Sequence, residues 1–282
     1  MNQKELTAHG VYTPVIDQGE GQAVVFVNGV PDSGRVWRRL MDRMDSCYRL
    51  IAPDLHGIGR SIAPADFDLS LESRAAWLEE VLTELDISGP VDLVCHDFGG
   101  PTTLAWAVLQ PERVRSLTVM ATCFHRQWQW HALGRAYRIP LVGELMMKFQ
   151  TMPWLGYRLF VQEMRKGSDA LDDEFLRDCY ANAVAGDPNF IVRLYRDTPA
   201  EIFAGWDEKL YALVEQRPTL CIWGGHDPYV PLQFAEKLGA RGAQVHRFAD
   251  AGHWTMIEKC NEVARLLSQF LEQQPSLPGP NL

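Results

Sequence analysis

Short β-branched runs alternate with amphipathic stretches over the first half of this chain, and that alternation leaves few folds open. "AVVFVNG" (23–29) reads as a buried strand, "SGRVWRRLMDRM" (33–44) as the helix after it, opened by Ser33, and "YRLIAPD" (48–54) as the next strand. "LSLESRAAWLEEVLTELD" (69–86) sets Leu71, Ala75, Leu78, Leu82 and Leu85 on one helical face. "VDLVCHD" (91–97), the helix "GPTTLAWAVLQ" and the strand "VRSLTVMAT" (114–122) continue the pattern. From about residue 124 to 208 the alternation stops, and the chain turns helical and rich in Trp, Met and Leu. It resumes with "PTLCIWG" (218–224) and "AQVHRFAD" (243–250), each followed by a helical pattern. The order predicts an α/β fold: a mostly parallel sheet flanked by helices, built from residues 1–123 and 209–282, with a helical cap at 124–208. The tail "QQPSLPGPNL" is expected to fray. Ligands of such sheets bind at the carboxyl ends of the strands.

A chain of 282 residues buries roughly three quarters of its unfolded surface, so it needs neither disulfides nor a structural metal to fold. The six cysteines show no metal-ligand spacing, and neither a metal nor a cofactor is expected. A net charge of −9 argues against a broad nucleic-acid or membrane-surface role. The bases and aromatics of "HRQWQWHALGRAYR" therefore read as lid and not as a single-strand binding surface. No signal-peptide order opens the sequence, and no apolar run approaches a membrane span. The expected setting is cytoplasmic, as a monomer or homodimer acting on a small apolar substrate and water.

Three strand ends carry the chemistry. Asp97 closes "LVCHDFGG", Asp227 follows the next-to-last strand in "WGGHDPYVP", and His253 follows the last in "DAGHW". Each alone has a plainer explanation: a helix N-cap, a turn residue before Pro228, a loop histidine. Together, in that order, they match a nucleophile, an acid and a base. A serine at the first position would need deprotonation before attack. An aspartate, with an ordinary pKa of about 3.9, is already ionised. Carboxylate attack on an ester would give an anhydride, whereas attack on an sp³ carbon gives a stable alkyl ester. Histidine then serves as base for the water that cleaves that ester. "NGVP" (28–31) adds an oxyanion loop, with backbone donors expected at Val30 and Phe98.

"HDFGG", "WGGHDP" and "DAGHWTMIEK" resemble the Asp-nucleophile branch of the α/β-hydrolase family, which contains epoxide hydrolases and haloalkane dehalogenases. The resemblance spans residues 10–275 and is nearest to epoxide hydrolases. Dehalogenases hold the halide with a tryptophan after the nucleophile and an asparagine in the oxyanion loop; Phe98 and Val30 occupy those positions here. Epoxide hydrolases use two lid tyrosines to protonate the leaving oxygen. "LGYRLFVQE" matches the spacing of the first and implies Tyr157; "FIVRLYRDTP" resembles the second and implies Tyr195. Tyr137 and Tyr180 are weaker candidates by position. The family's His-Gly-x-Pro loop stands here with Asn28 in place of histidine, and the resemblance implies a cis Val30–Pro31 bond. Pro31, Trp128, Phe149, Trp154 and Trp254 are the expected pocket residues. An epoxide hydrolase, a hydrolase of a halide or strained lactone, and a ligand-binding protein on the same scaffold all remain open.

Overall fold

The computed structural model describes residues 2–274 apart from Pro153 and Asp169; the expected fraying from Pro275 onward lies outside the described residues. Eight strands form one sheet: β1 (Asn2–Ala8), β2 (Val11–Gln18), β3 (Gln22–Val27), β4 (Tyr48–Pro53), β5 (Val91–His96), β6 (Val114–Met120), β7 (Thr219–Gly224) and β8 (Gln244–Phe248). Their spatial order is β1-β2-β4-β3-β5-β6-β7-β8. β1–β2 and β2–β4 pair antiparallel, and every later pair is parallel. β5 is buried along its whole length between neighbours on both sides, as the near-continuous apolar run of a central parallel strand requires. Its carboxyl end therefore opens at the middle of the sheet, where Asp97 stands.

The β1–β2 hairpin was not among the expected strands. "NQKELTA" mixes charge with apolar residues because β1 is an edge strand, and His9–Gly10 turn the chain with both residues at positive φ. The helix expected over 33–44 is shorter: Ser33 does accept from the Arg35 N–H, but the first turn is 3₁₀ (Gly34–Trp37) and only Arg38–Met41 is α-helical. Helix Leu71–Glu84 buries Leu71, Ala75, Leu78 and Leu82 as its periodicity demands. Between β6 and β7 the described residues form no strand: an irregular stretch at 121–131 leads to α-helices Ala132–Arg138, Val142–Gln150, Leu155–Met164, Asp173–Ala185, Pro188–Arg196 and Trp206–Val214. The last begins after Gly205, at φ 83°, and so runs across the expected boundary at 208/209. Two apolar clusters lie on opposite faces of the sheet. One packs helices 71–84 and 99–109, with Trp77 and Trp106; the other packs Trp37 and helix Cys260–Glu272.

Candidate active site

Asp97 follows β5 at φ +48°, a left-handed conformation that a non-glycine residue adopts only when its surroundings enforce it. Two glycines make that possible. A Cβ on Gly29 would lie 2.3 Å from the Asp97 Cβ, and one on Gly100 would lie 2.0 Å from Thr122 Oγ1, whose hydroxyl donates to the Asp97 carbonyl. The elbow is thus wedged between the loop after β3 and the residues after β6. Its carboxylate splits its two oxygens between different partners. Oδ1 accepts the Val30 N–H at 2.9 Å, and Oδ2 faces His253 Nε2 at 3.6 Å. The Phe98 N–H, the other expected donor, makes no hydrogen bond with a described residue.

His253 Nδ1 lies 2.9 Å from Asp227 Oδ2. Asp227 Oδ1 accepts the N–H groups of Tyr229 and Val230 at 2.8 and 3.0 Å, so the turn after β7 fixes the carboxylate that orients the imidazole. The histidine loop is held too. Glu258 accepts the N–H groups of Gly252 and Trp254 on either side of His253. Burial opposes the imidazolium, but the Asp227 and Asp97 carboxylates outweigh it and push His253 up to about 10. For Asp97 burial pulls upward; the hydrogen bond and charge of His253, with His96 and the Val30 N–H, hold the carboxyl below its ordinary range. Carboxylate and imidazolium are therefore an ion pair at neutral pH.

Asn28, at the position the resemblance gives to a histidine, holds the loop by its side chain. Its Oδ1 accepts the Leu55 N–H and its Nδ2 donates to the Gly29 carbonyl, tying the loop to the chain after β4. The Val30–Pro31 bond is cis. Beneath the loop lies Asp32, fully buried, where it receives the Cys179 thiol at 3.0 Å and Trp254 Nε1 at 3.1 Å. Burial raises Asp32 to about 7. His96 Nε2 donates to the His253 carbonyl, and burial takes this imidazole down to about 3, so it stays neutral. Neither Asp32, His96 nor Glu258 was singled out from the sequence, although all three lie in the quoted motifs or directly beside them.

A cavity of about 770 Å³ of empty space opens over Asp97 and His253, walled by the helices between β6 and β7. Val30, Pro31, Trp254 and Tyr195 are among the residues that line it. Tyr195 is buried, its ring packs edge-on to Phe98 at 4.9 Å, and no described residue hydrogen-bonds its hydroxyl. Burial first and the nearby Asp97 charge second hold that phenol well above its ordinary pKa. Tyr157 does not reach the cavity. Phe160, Glu163 and Met164 form the inner face of its helix, while the Tyr157 ring leans on Tyr180 at 5.2 Å. Phe149 and Trp154 also leave the expected pocket: they point outward, 46% and 71% exposed, because Met147 and Gln150 take the inward positions. Trp128 is buried, but beside a separate small cavity that it shares with Asp97 and Phe98.

Of the lining residues not expected from the sequence, two bear on the hydrogen bonding of the site. Tyr229 stacks edge-on to His253 at 5.0 Å and spends its hydroxyl on the Glu163 carbonyl. His131 caps helix Ala132–Arg138, its Nδ1 accepting the Gly134 N–H. A neutral imidazole whose Nδ1 accepts must carry its proton on Nε2. Burial keeps His131 neutral by lowering it to about 4. Among the lining donors without an acceptor in the described residues are Tyr195 OH and His131 Nε2–H, beside the Gln150 side-chain amide N–H. Tyr137, by contrast, already donates to Gln150.

A family model described as alpha/beta hydrolase fold matches residues 22–259, and the chain belongs to that family. Among curated relatives, a cis-3-alkyl-4-alkyloxetan-2-one decarboxylase of Xanthomonas campestris pv. campestris is 27% identical over 94% of this chain and 94% of its own. A 2-hydroxymuconate semialdehyde hydrolase of Pseudomonas sp. strain CF600 is 31% identical over 96% of this chain and 94% of its own. An epoxide hydrolase of Caballeronia sordidicola is 38% identical, over 44% of this chain and 38% of its own. The full-length similarity therefore reaches beyond the epoxide hydrolases that the motifs resemble. Among the described residues, no helix is long and apolar enough to cross a membrane, and no cluster of His, Cys, Asp or Glu could hold a metal ion.

Proposed function

We propose that the protein hydrolyses a strained oxygen ring, an epoxide foremost, by attack of Asp97 on its sp³ carbon, with residues 124–208 acting as the lid. The observation that carries this reading is the divided Asp97 carboxylate: one oxygen is held by the Val30 N–H, and the other faces both the cavity and His253. In the first step Oδ2 bonds to the ring carbon, the carbon–oxygen bond breaks, and Tyr195 protonates the departing alkoxide. The His253 imidazolium restores the phenol and is left neutral. In the second step His253 takes a proton from water as its oxygen adds to the Asp97 carboxyl carbon. The oxyanion develops on Oδ1, facing the Val30 N–H and the unspent Phe98 N–H. Collapse releases a diol, protonated from His253, and the acid formed at Asp97 returns its proton to the imidazole. Asp227 holds the ring in line throughout.

The activity named for the muconate relative does not transfer well. Its substrate is an anion, whereas Asp97 and Glu163 line this cavity and, among the described residues, no lysine or arginine does. A four-membered lactone is the second reading, favoured by the oxetan-2-one decarboxylase relative. Asp97 attack on its ring carbon would release a carboxylate. Loss of CO₂ with expulsion of Asp97 would then give an alkene without water.

The test is intact mass spectrometry of the His253→Gln protein after incubation with epoxides, haloalkanes and oxetan-2-ones. An adduct of a whole epoxide, with diol from the wild type, supports the proposal. An alkyl adduct lacking halogen would replace it with dehalogenation. A lactone adduct, with alkene and CO₂ from the wild type, would replace it with the second reading. No adduct, while Asp97→Asn still binds ligand, would leave a binding protein.

A further inference from the structure

Among the described residues, twelve large hydrophobic side chains stand exposed, and eight of them fall between Ile139 and Leu159. Isolated exposed hydrophobics are normal, but a concentration of this kind marks a contact surface. Leu141, Leu145 and Phe149 recur every fourth residue and form one outer stripe of helix Val142–Gln150. Helix Leu155–Met164 starts hard against that helix: a Cβ on Gly156 would lie 2.0 Å from the Gln150 carbonyl oxygen. Met152 and Trp154 in the connection and Leu159 on the second helix are exposed as well, and Leu141 and Trp154 are 81% and 71% exposed. The opposite faces of these two helices, with Met147, Gln150, Phe160 and Met164, line the cavity. Both sides of this thin roof are thus largely apolar.

Charge identifies the partner. From Arg135 to Lys166 there are six basic residues against two acidic ones, in a chain whose net charge is −9. The two acids are engaged, Glu144 with Arg196 and Glu163 with Lys166. Lys148 and Arg158 are exposed and make no ion pair among the described residues. The acidic total that argued against a membrane-surface role is an average that conceals this basic segment.

We propose that this face docks peripherally on an anionic lipid surface. Trp, Phe and Leu enter the headgroup boundary, with Lys148 and Arg158 at the phosphates, and the roof helices lie against the layer in which an apolar substrate dissolves. A second copy of the chain fits less well, because a two-fold interface on this face would bring the basic rim against itself.

The test is sedimentation of the full chain with vesicles of equal parts phosphatidylcholine and phosphatidylglycerol, compared with phosphatidylcholine alone. Wild type should bind the anionic vesicles and lose binding as salt rises. The Phe149→Ser/Trp154→Ser variant, altered only at exposed positions, should partition at least about tenfold less. Equal partitioning of wild type and variant, or no preference for the anionic vesicles, would overturn the proposal. So would a stable dimer that the same substitutions dissociate, which would assign the face to a second copy. The readout needs no turnover, so it stands or falls apart from the Asp97 chemistry.

Discussion

Replacing Asp97 by asparagine removes a negative charge 3.6 Å from His253 Nε2 and keeps the shape of the side chain. His253 sits at about 10 because two carboxylates flank it, so the loss of one must lower it. At that distance, with an effective dielectric of about 20–40, the charge is worth roughly 2–5 kcal/mol. That corresponds to a fall of about 2–3 pH units, from about 10 to about 7–8. The consequence reaches into the mechanism, because an alkylated Asp97 is equally uncharged. Asp97→Asn therefore mimics the ester, and its His253 should be a competent base near neutrality where the free protein's is an acid. The imidazole nitrogen resonances, assigned by their loss in His253→Gln, report the titration directly. Stability should follow with the same sign. A raised histidine stabilises fully below its unfolded pKa of about 6.5 and loses that contribution as pH rises through its folded value. In the wild type the loss extends to about 10; in Asp97→Asn it should be complete by about pH 8. A His253 pKa within about half a unit of wild type would refute the reasoning, since Asp227 alone would then set the value and ester formation could not create the base.

Tyr195→Phe should slow alkylation by an epoxide about 10²–10³-fold while leaving hydrolysis of a preformed ester nearly unchanged, as single-turnover mass spectrometry would read. His131→Asn keeps an acceptor for the Gly134 N–H but withdraws the Nε2 donor, and should slow the same step about tenfold; equal rates would remove His131 from the site. Gly100→Ala drives a Cβ into Thr122 and should lower stability by about 1–3 kcal/mol in thermal or urea unfolding. Acid should destabilise the fold before its carboxylates other than Asp32 titrate. His56 and His96 are buried neutral, so below about pH 6.5 the unfolded chain binds protons they refuse, at about 1.4 kcal/mol per pH unit each. Asp32, raised to about 7, takes up a proton over the same range and offsets one of them. Urea-unfolding stability should therefore fall between pH 6.5 and pH 5, and an unchanged value would contradict the neutral assignment.

The parts of this molecule that could be read from its sequence are those where one physical rule acts alone. β5 is buried along its whole length, so most of its sequence is apolar, Asp92 and His96 excepted, and a carboxylate at its end stands out. Asp227 follows a strand of the same kind, β7, whereas His253 follows the more exposed edge strand β8. β1 obeys two rules at once, since an edge strand must pair on one side and resist pairing on the other, and its mixed composition hides it; β2, paired on both sides, is interrupted by Thr13, Pro14 and Asp17. The walls of the cavity were harder for a different reason. Helical spacing states which residues share a face, but not which face turns inward. Tyr157, Phe149 and Trp154 lie within a turn or so of Phe160, Gln150 and Met147, yet only the latter three line the cavity. That choice is set by how the two helices meet at Gly156 and Gln150, a contact between backbones that composition does not record. His131 shows the converse. Its sequence role as a helix cap fixes Nδ1 as the acceptor, and the donor it presents to the cavity follows only once the cap is known to stand over Asp97. The same roof geometry that removes two aromatics from the pocket places them on the outer face, where the basic segment gives them a different partner.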